Sequence, residues 1–219
     1  MSSLIIENIQ FSYNKIKLLS DIYFQFSKGE IVGLLGRNGS GKSTMFKIIT
    51  GLLHEHSMIL RIDNKPARVN TIYKYISYLP QESFLPKEFR IDKCIRLFLK
   101  DASKRNIVMK DERIKKLNNC KVGQLSRGEK RYFELLLILF SKQEYAILDE
   151  PFSELDPINK QKAIELIKCI SKNKGIILTD QDYHSVFAVS TSRILLTNGH
   201  LKKIISEAQL FQNEYLPRR

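Results

Sequence analysis

Tryptophan is absent from this chain of 219 residues, cysteine occurs three times, and no apolar run exceeds the six residues 135–140. A bilayer-spanning helix needs about 20 consecutive apolar residues, so none is expected. Cys94, Cys120 and Cys169 are odd in number and far apart, which fits neither a disulfide framework nor a zinc site, and they read as buried, reduced thiols. The opening residues, MSSLIIENIQF, have no basic segment and no sustained apolar stretch. They do not form a secretory signal, and the expected location is the cytosol. Histidine is scarce too: His54 and His56 bracket Glu55, but without a third ligand the pair reads as loop rather than metal site. The other deficit is in acids. Against 36 Lys and Arg stand 23 Asp and Glu, a net charge of +13, and residues 82–142 hold sixteen of those bases against eight acids. This basic middle segment reads first as a solvated helical face, with an anionic lipid surface or an acidic partner as the functional alternatives.

What is present centres on residues 36–43, GRNGSGKS. Glycine, four residues, glycine, lysine and then serine or threonine is a phosphate-binding loop pattern. Gly36 and Gly41 let the backbone curl so that N–H groups of Arg37, Asn38, Gly39 and Ser40 turn toward an anion. Lys42 reaches the outer phosphates, and Ser43 offers its hydroxyl to the magnesium that accompanies a nucleotide. Residues 31–35 ahead of the loop form a short apolar run suited to a strand buried on both faces. Behind it, Thr44 opens a helix predicted over 44–53, with Met45, Ile48, Ile49, Leu52 and Leu53 at helical spacing. Strand, glycine loop and helix in that order place phosphates at a helix N-terminus, where unpaired N–H groups and the dipole favour negative charge.

Elsewhere the chain reads as follows. Ile22, Phe24 and Phe26 alternate with Asp21, Tyr23 and Gln25, the period of a half-buried strand. Residues 58–62 and 75–79 are strand-like, the first leaving through a turn at 63–66 and the second ending at Pro80-Gln81. From residue 84 to 142 helical spacing takes over: Ile91, Cys94, Ile95 and Phe98, then Ile114 and Leu117, then an apolar helix over 130–142. This reads as a helical lobe inserted between strands of the core. The run 145–150 is an apolar strand ending in Asp149 and Glu150, which points two carboxylates at the crevice where ligands of parallel sheets bind. An amphipathic helix over 158–171 follows, with Ala163, Leu166, Ile167 and Ile170 on one side. Then come a buried strand over 176–179 and a hairpin closed by Asn198-Gly199.

In this order the pieces resemble the ATP-binding subunit of an ATP-binding cassette transporter, over nearly the whole chain. The diagnostic stretch is Leu125-Ser126-Arg127-Gly128-Glu129, similar to the family's LSGGQ signature. Ser126 and Glu129 also stand in capping-box relation, and a capped helix start presents N–H groups to a phosphate. The resemblance implies an α/β fold: a P-loop NTPase core with a mostly parallel sheet, an N-terminal antiparallel β subdomain and a helical subdomain inserted at about 82–142, all in a single domain spanning 1–219. Tyr13 resembles the aromatic that stacks on adenine. Gln81 resembles the loop glutamine that touches magnesium and senses the membrane partner. Asp149 would join Ser43 in holding magnesium, and Glu150 would be the general base. Ser153-Glu154-Leu155-Asp156 resembles the loop that contacts an opposite subunit. Where the family has a histidine against the γ-phosphate, this chain has Gln181, which can hydrogen-bond a phosphate but carries no proton or charge, so hydrolysis is expected to be slow. His184, three residues on, is the alternative for that role.

The resemblance further implies ATP and Mg2+ as ligands and a head-to-tail pair in which Ser126, Arg127, Gly128 and Glu129 of one copy close over the nucleotide of the other. That pair is a homodimer, or a heterodimer with a second cassette. A transmembrane permease subunit is the implied partner, with the chain peripheral at the cytoplasmic face of the membrane and Phe84, Leu85 and Phe89 as candidates for docking or for core packing. Two alternatives stand beside it: a soluble cassette ATPase that remodels a cytosolic assembly or nucleic acid, and a weakly hydrolysing ATP-dependent switch. Cassette proteins acting on nucleic acid usually carry two cassettes or long insertions, which argues against nucleic acid here.

Overall fold

The computed structural model describes residues 2–13, 16–54 and 58–212. Glu55 and His56, part of the loop with His54, lie outside the described residues. Ser3–Tyr13 (β1), Ile16–Ser27 (β2), Ile59–Ile62 (β4) and Lys65–Pro66 (β5) build an antiparallel sheet in the order β2-β1-β4-β5. A six-stranded sheet holds Ile31–Leu35 (β3), Ile76–Leu79 (β6), Tyr145–Asp149 (β7), Gly175–Thr179 (β8), Ser192–Thr197 (β9) and His200–Ile204 (β10). Its order is β10-β9-β3-β8-β7-β6, parallel throughout except for β10.

Eight helices complete the described chain. Lys42–Ile49 (α1) follows β3. Ile91–Phe98 (α2), Ala102–Lys110 (α3), Glu112–Leu117 (α4) and Arg127–Phe140 (α5) lie between β6 and β7, and Pro157–Ser171 (α6), Tyr183–Val189 (α7) and Ala208–Gln212 (α8) come later.

The six-stranded sheet is apolar on both faces, and its strands sort their side chains accordingly. Val32, Leu34, Tyr145, Ile147 and Ile177 join Met45, Phe46, Ile48 and Ile49 of α1 and the inner residues of the antiparallel sheet in one cluster. Ile31, Leu35, Ala146, Leu148, Ile176 and Leu178 join the buried sides of α5, α6 and α7 in the other. α1 and α5 therefore pack on opposite faces of one sheet. The carboxyl ends of β3, β6, β7 and β8 share an edge because these strands are parallel, and that edge gathers their loops in one place.

Local chemistry sets the element ends, and several differ from expectation. α1 stops at Ile49 rather than running to residue 53, because Gly51 takes a left-handed φ of 73° that ends the turn. α5 begins at Arg127, not Lys130: Ser126 is its N-cap and completes the capping box with Glu129, so cap and apolar run are one helix. The helix expected over 158–171 starts at Pro157 behind the N-cap Asp156. Its buried positions are Ala163, Ile164, Ile167 and Ser171, with Leu166 and Ile170 half-buried.

The cysteine expectation also needs correction. Cys94 is buried, but Cys120 is half-buried and Cys169 is exposed on the outer side of α6. Leu85 is buried, and Phe84 and Phe89 pack partly buried against the helical cluster, with Phe84 tilted against Phe98 at 5.5 Å. All three thus make core contacts.

Candidate functional site

The phosphate loop joins β3 to α1 and is shaped by backbone that only glycine permits. Gly41 is the N-cap of α1 at φ 104°. At Gly36 a Cβ would stand 2.6 Å from Ser40 Oγ and 2.9 Å from the Leu196 carbonyl, so the loop closes on bare backbone. No side chain caps α1 and no acid lies in its first turn, which leaves its first N–H groups and dipole for an anion. The Lys42 ammonium folds back onto its own loop, donating to the Gly36 carbonyl at 2.6 Å and to that of Arg37 at 3.1 Å. Burial pulls its pKa down, and the charges of Asp149 and Glu150 oppose that pull.

Asp149 ends β7 with 1% of its surface exposed. Its Oδ2 accepts from the Tyr78 hydroxyl at 3.3 Å, while Oδ1 is buried with no hydrogen-bond partner among the described residues. Burial pushes the carboxyl above the ordinary range, against the hydroxyls of Ser43 and Tyr78 and the Arg131 charge. The orphaned carboxylate oxygen of Asp149 and the Ser43 hydroxyl, with the Gln81 side-chain carbonyl on the cleft that Ser43 lines, are oxygen donors of the kind that fits a hard cation such as magnesium. No group of three or more His, Cys, Asp or Glu able to hold a metal occurs among the described residues, so such a cation would take its remaining ligands from phosphates and water.

Glu150 is the first residue past the strand and adopts a left-handed φ of 54°. Its N–H donates to the Thr179 carbonyl at 2.8 Å, and its own carbonyl accepts from Arg131 Nε at 3.2 Å. The side chain is met by Gln181, whose amide Nε2 donates to the two carboxylate oxygens at 3.2 and 3.3 Å. One cleft of about 330 Å³ is lined by Leu18, Asn38, Gly39, Gly41, Lys42, Ser43, Thr44, Gln81, Glu150 and Gln181. An adjoining hollow adds Gly36, Arg37, Asp180 and Tyr183. The glycine loop, Glu150 and Gln181, from three strand ends, thus meet around one space.

Other expected residues stand apart from it. Tyr13 is 68% exposed at the end of β1 and lines neither space. His184 is exposed on α7 with its ring on Tyr183, centroids 3.9 Å apart, and does not line the hollow next to Gln181. Ser126 is likewise outside. Its hydroxyl donates to Glu129 Oε2 at 2.7 Å and accepts from the Glu129 N–H at 3.2 Å. Arg127 is exposed and pairs with Glu154 Oε1 at 3.4 Å. Gly128 lies so close to the Glu154 carbonyl that a Cβ would stand 2.6 Å from it. Gly128→Ala is therefore expected to cost about 1–3 kcal/mol of stability and to lower the melting temperature, although alanine is the better helix former. A thermal melt checks this, and a stabilised variant would contradict the close packing.

Four residues of the site were not singled out from sequence. Tyr78 holds Asp149. Asp180 is buried, and its Oδ2 accepts from the Phe152 N–H at 2.9 Å, fixing the turn behind Glu150. Arg131 and Glu134 are buried on α5. Charges inside the apolar run 130–142 were the available signal for this pair.

Residues 19–153 match the family model described as "ABC transporter". Across its full length the chain is 27% identical to the lipopolysaccharide export system ATP-binding protein LptB of Escherichia coli, covering 96% of that protein. It is 32% identical to the zinc import ATP-binding protein ZnuC of Ehrlichia chaffeensis, over 95% of this chain and 86% of that one. Among solved structures, one described as the ATP-binding subunit of an ABC transporter superposes with a TM-score of 0.84 at 23% identity, covering 95% of this chain and 92% of the other.

Proposed function

The chain belongs to the ABC transporter family as an ATP-binding subunit, and from that membership we propose that it hydrolyses ATP within a head-to-tail pair of cassettes that drives a separate transmembrane permease. The observation that carries this reading is the cleft in which Lys42, Ser43, Gln81, Glu150 and Gln181 meet over the start of α1. In this role the α1 N–H groups and Lys42 bind the phosphates, and Glu150 accepts a proton from the attacking water. Ser43, Asp149 and Gln81 would hold magnesium, which supplies charge neutralisation at the phosphates. Tyr13, exposed beyond the cleft, would stack on adenine.

The two faces of the sheet support pairing. Ser126 caps a helix packed on one face, whereas the phosphate loop opens a helix packed on the other. Neither Ser126 nor Gly128 lines the phosphate cleft of its own chain. A second copy turned by a two-fold axis can supply Ser126, Arg127, Gly128 and Glu129, and the same operation completes both sites. The signature residues lie on the basic segment, whose lysines and arginines suit an anionic membrane surface near the permease. No described helix is long and apolar enough to cross a membrane. Of the two relatives one is named for an export system and the other for import, and ATP binding is what the names share.

Gln181 sets the rate in this scheme. It grips Glu150 but cannot carry positive charge toward a developing phosphate charge, as an imidazolium can. Gln181→His is expected to raise phosphate release at saturating MgATP about tenfold; a rate unchanged or lowered would remove this role. For the function as a whole, the chain should release phosphate from MgATP and co-purify with a membrane protein. Salt-sensitive binding to DNA or RNA without any membrane partner would favour the remodelling ATPase instead.

A further inference from the structure

Arg131 lies between the site's parts and belongs to none of the roles above. Its side chain is 5% exposed, and all three guanidinium nitrogens are engaged. Nη1 donates to the Pro80 carbonyl at 2.7 Å, Nη2 to the carbonyls of Asp149 and Glu150, and Nε to Glu150 again. One turn on, Glu134 sits 3.8 Å from Nη1 and accepts at Oε1 from the Ser83 hydroxyl at 2.6 Å and the Phe84 N–H at 3.2 Å. The two side chains thus grasp the loop around Gln81 on both sides, at Pro80 and at Ser83-Phe84, while Arg131 also holds the backbone that carries Glu150. Both stand on α5, which Ser126 caps.

We propose that Arg131 and Glu134 are positioning residues for hydrolysis, a buried ionic relay that fixes Glu150 relative to the loop that carries Gln81. The inference rests on the hydrolysis reading above. Glu150 needs such support because it lies past the end of β7 with a left-handed backbone, tied to β8 through its N–H and with its carbonyl held by Arg131. A rigid fork with several donors suits one residue bridging three carbonyls, and a lysine ammonium cannot span them. A buried pair completed by hydrogen bonds also keeps neither charge unpaired.

The test is steady-state kinetics of Arg131→Lys on the full chain with MgATP, with a thermal melt alongside. Lysine keeps the charge opposite Glu134 and removes the bridging. The expected result is kcat lowered about tenfold, because misplacing a catalytic group by about 1 Å can cost up to 100-fold, with the KM for ATP within about twofold because the phosphate loop is untouched. A support for folding alone would leave kcat of the folded fraction unchanged. Ser83→Ala, at an exposed position, decides the matter where Arg131→Lys does not fold: it removes one anchor of the Gln81 loop and is expected to lower kcat about two- to threefold at unchanged KM. Wild-type turnover with kcat unmoved in the folded Arg131→Lys variant, or in Ser83→Ala where that one decides, overturns the relay alone. A wild-type chain without any turnover overturns the hydrolysis reading and the relay with it.

Discussion

Glu150→Gln will leave nucleotide binding in place and cut ATP turnover by a factor of about 100 or more, the range by which a positioned general base accelerates a reaction. The substitution is nearly isosteric, and what holds the residue is backbone. Its N–H reaches Thr179, its carbonyl is gripped by Arg131 and also accepts from the Ser153 hydroxyl at 2.9 Å. All of these survive the change. The lost element is a carboxylate able to take a proton from water, while the amide oxygen still accepts from Gln181. Phosphate release and the binding of a fluorescent ATP analogue separate the two effects. Turnover at the wild-type rate would show that the base lies elsewhere.

Lys42→Ala should instead weaken nucleotide binding. The ammonium is held by the Gly36 and Arg37 carbonyls, partners that it would exchange for phosphate oxygens. A hydrogen bond to a charged group contributes about 1.5–3 kcal/mol, so the affinity for MgATP should fall about tenfold to a hundredfold. Fold stability should hold or rise. Alanine is the best helix former, and burial already disfavours the ammonium at this position. Titration of ATP binding with a melt of the free chain checks both halves. A variant that melts early would mean that the lysine serves the fold rather than the ligand.

These residues were legible in the sequence because their chemistry is local. The phosphate loop is one stretch whose glycines, lysine and serine sit at fixed separations, and β3 and α1 flank it with unmistakable patterns. Asp149 and Glu150 stood out because an apolar strand ends in paired acids. Gln181 was visible as a substitution against a known pattern, but its grip on Glu150 was not, since that contact joins the ends of two strands paired far apart in sequence. Tyr78 and Asp180 were hidden for the same reason: each is an ordinary residue until parallel pairing sets β6, β7 and β8 side by side. Arg131 and Glu134 were visible as charges in an apolar helix, but a lone charge there reads as a solvated edge. Only the packing of α5 over the ends of β6 and β7 turns them inward. The cysteines show the reverse error, because Cys169 faces outward on a helix whose inward positions were already filled by Ala163, Ile164 and Ile167.

The pairing of two copies is tested most directly by the mass of Glu150→Gln in solution, measured by light scattering with and without saturating MgATP. A head-to-tail pair closed over unhydrolysed nucleotide requires the mass of one chain without MgATP and twice that mass with it, reversed by adding Ser126→Arg. A single-chain mass at saturating MgATP would contradict it.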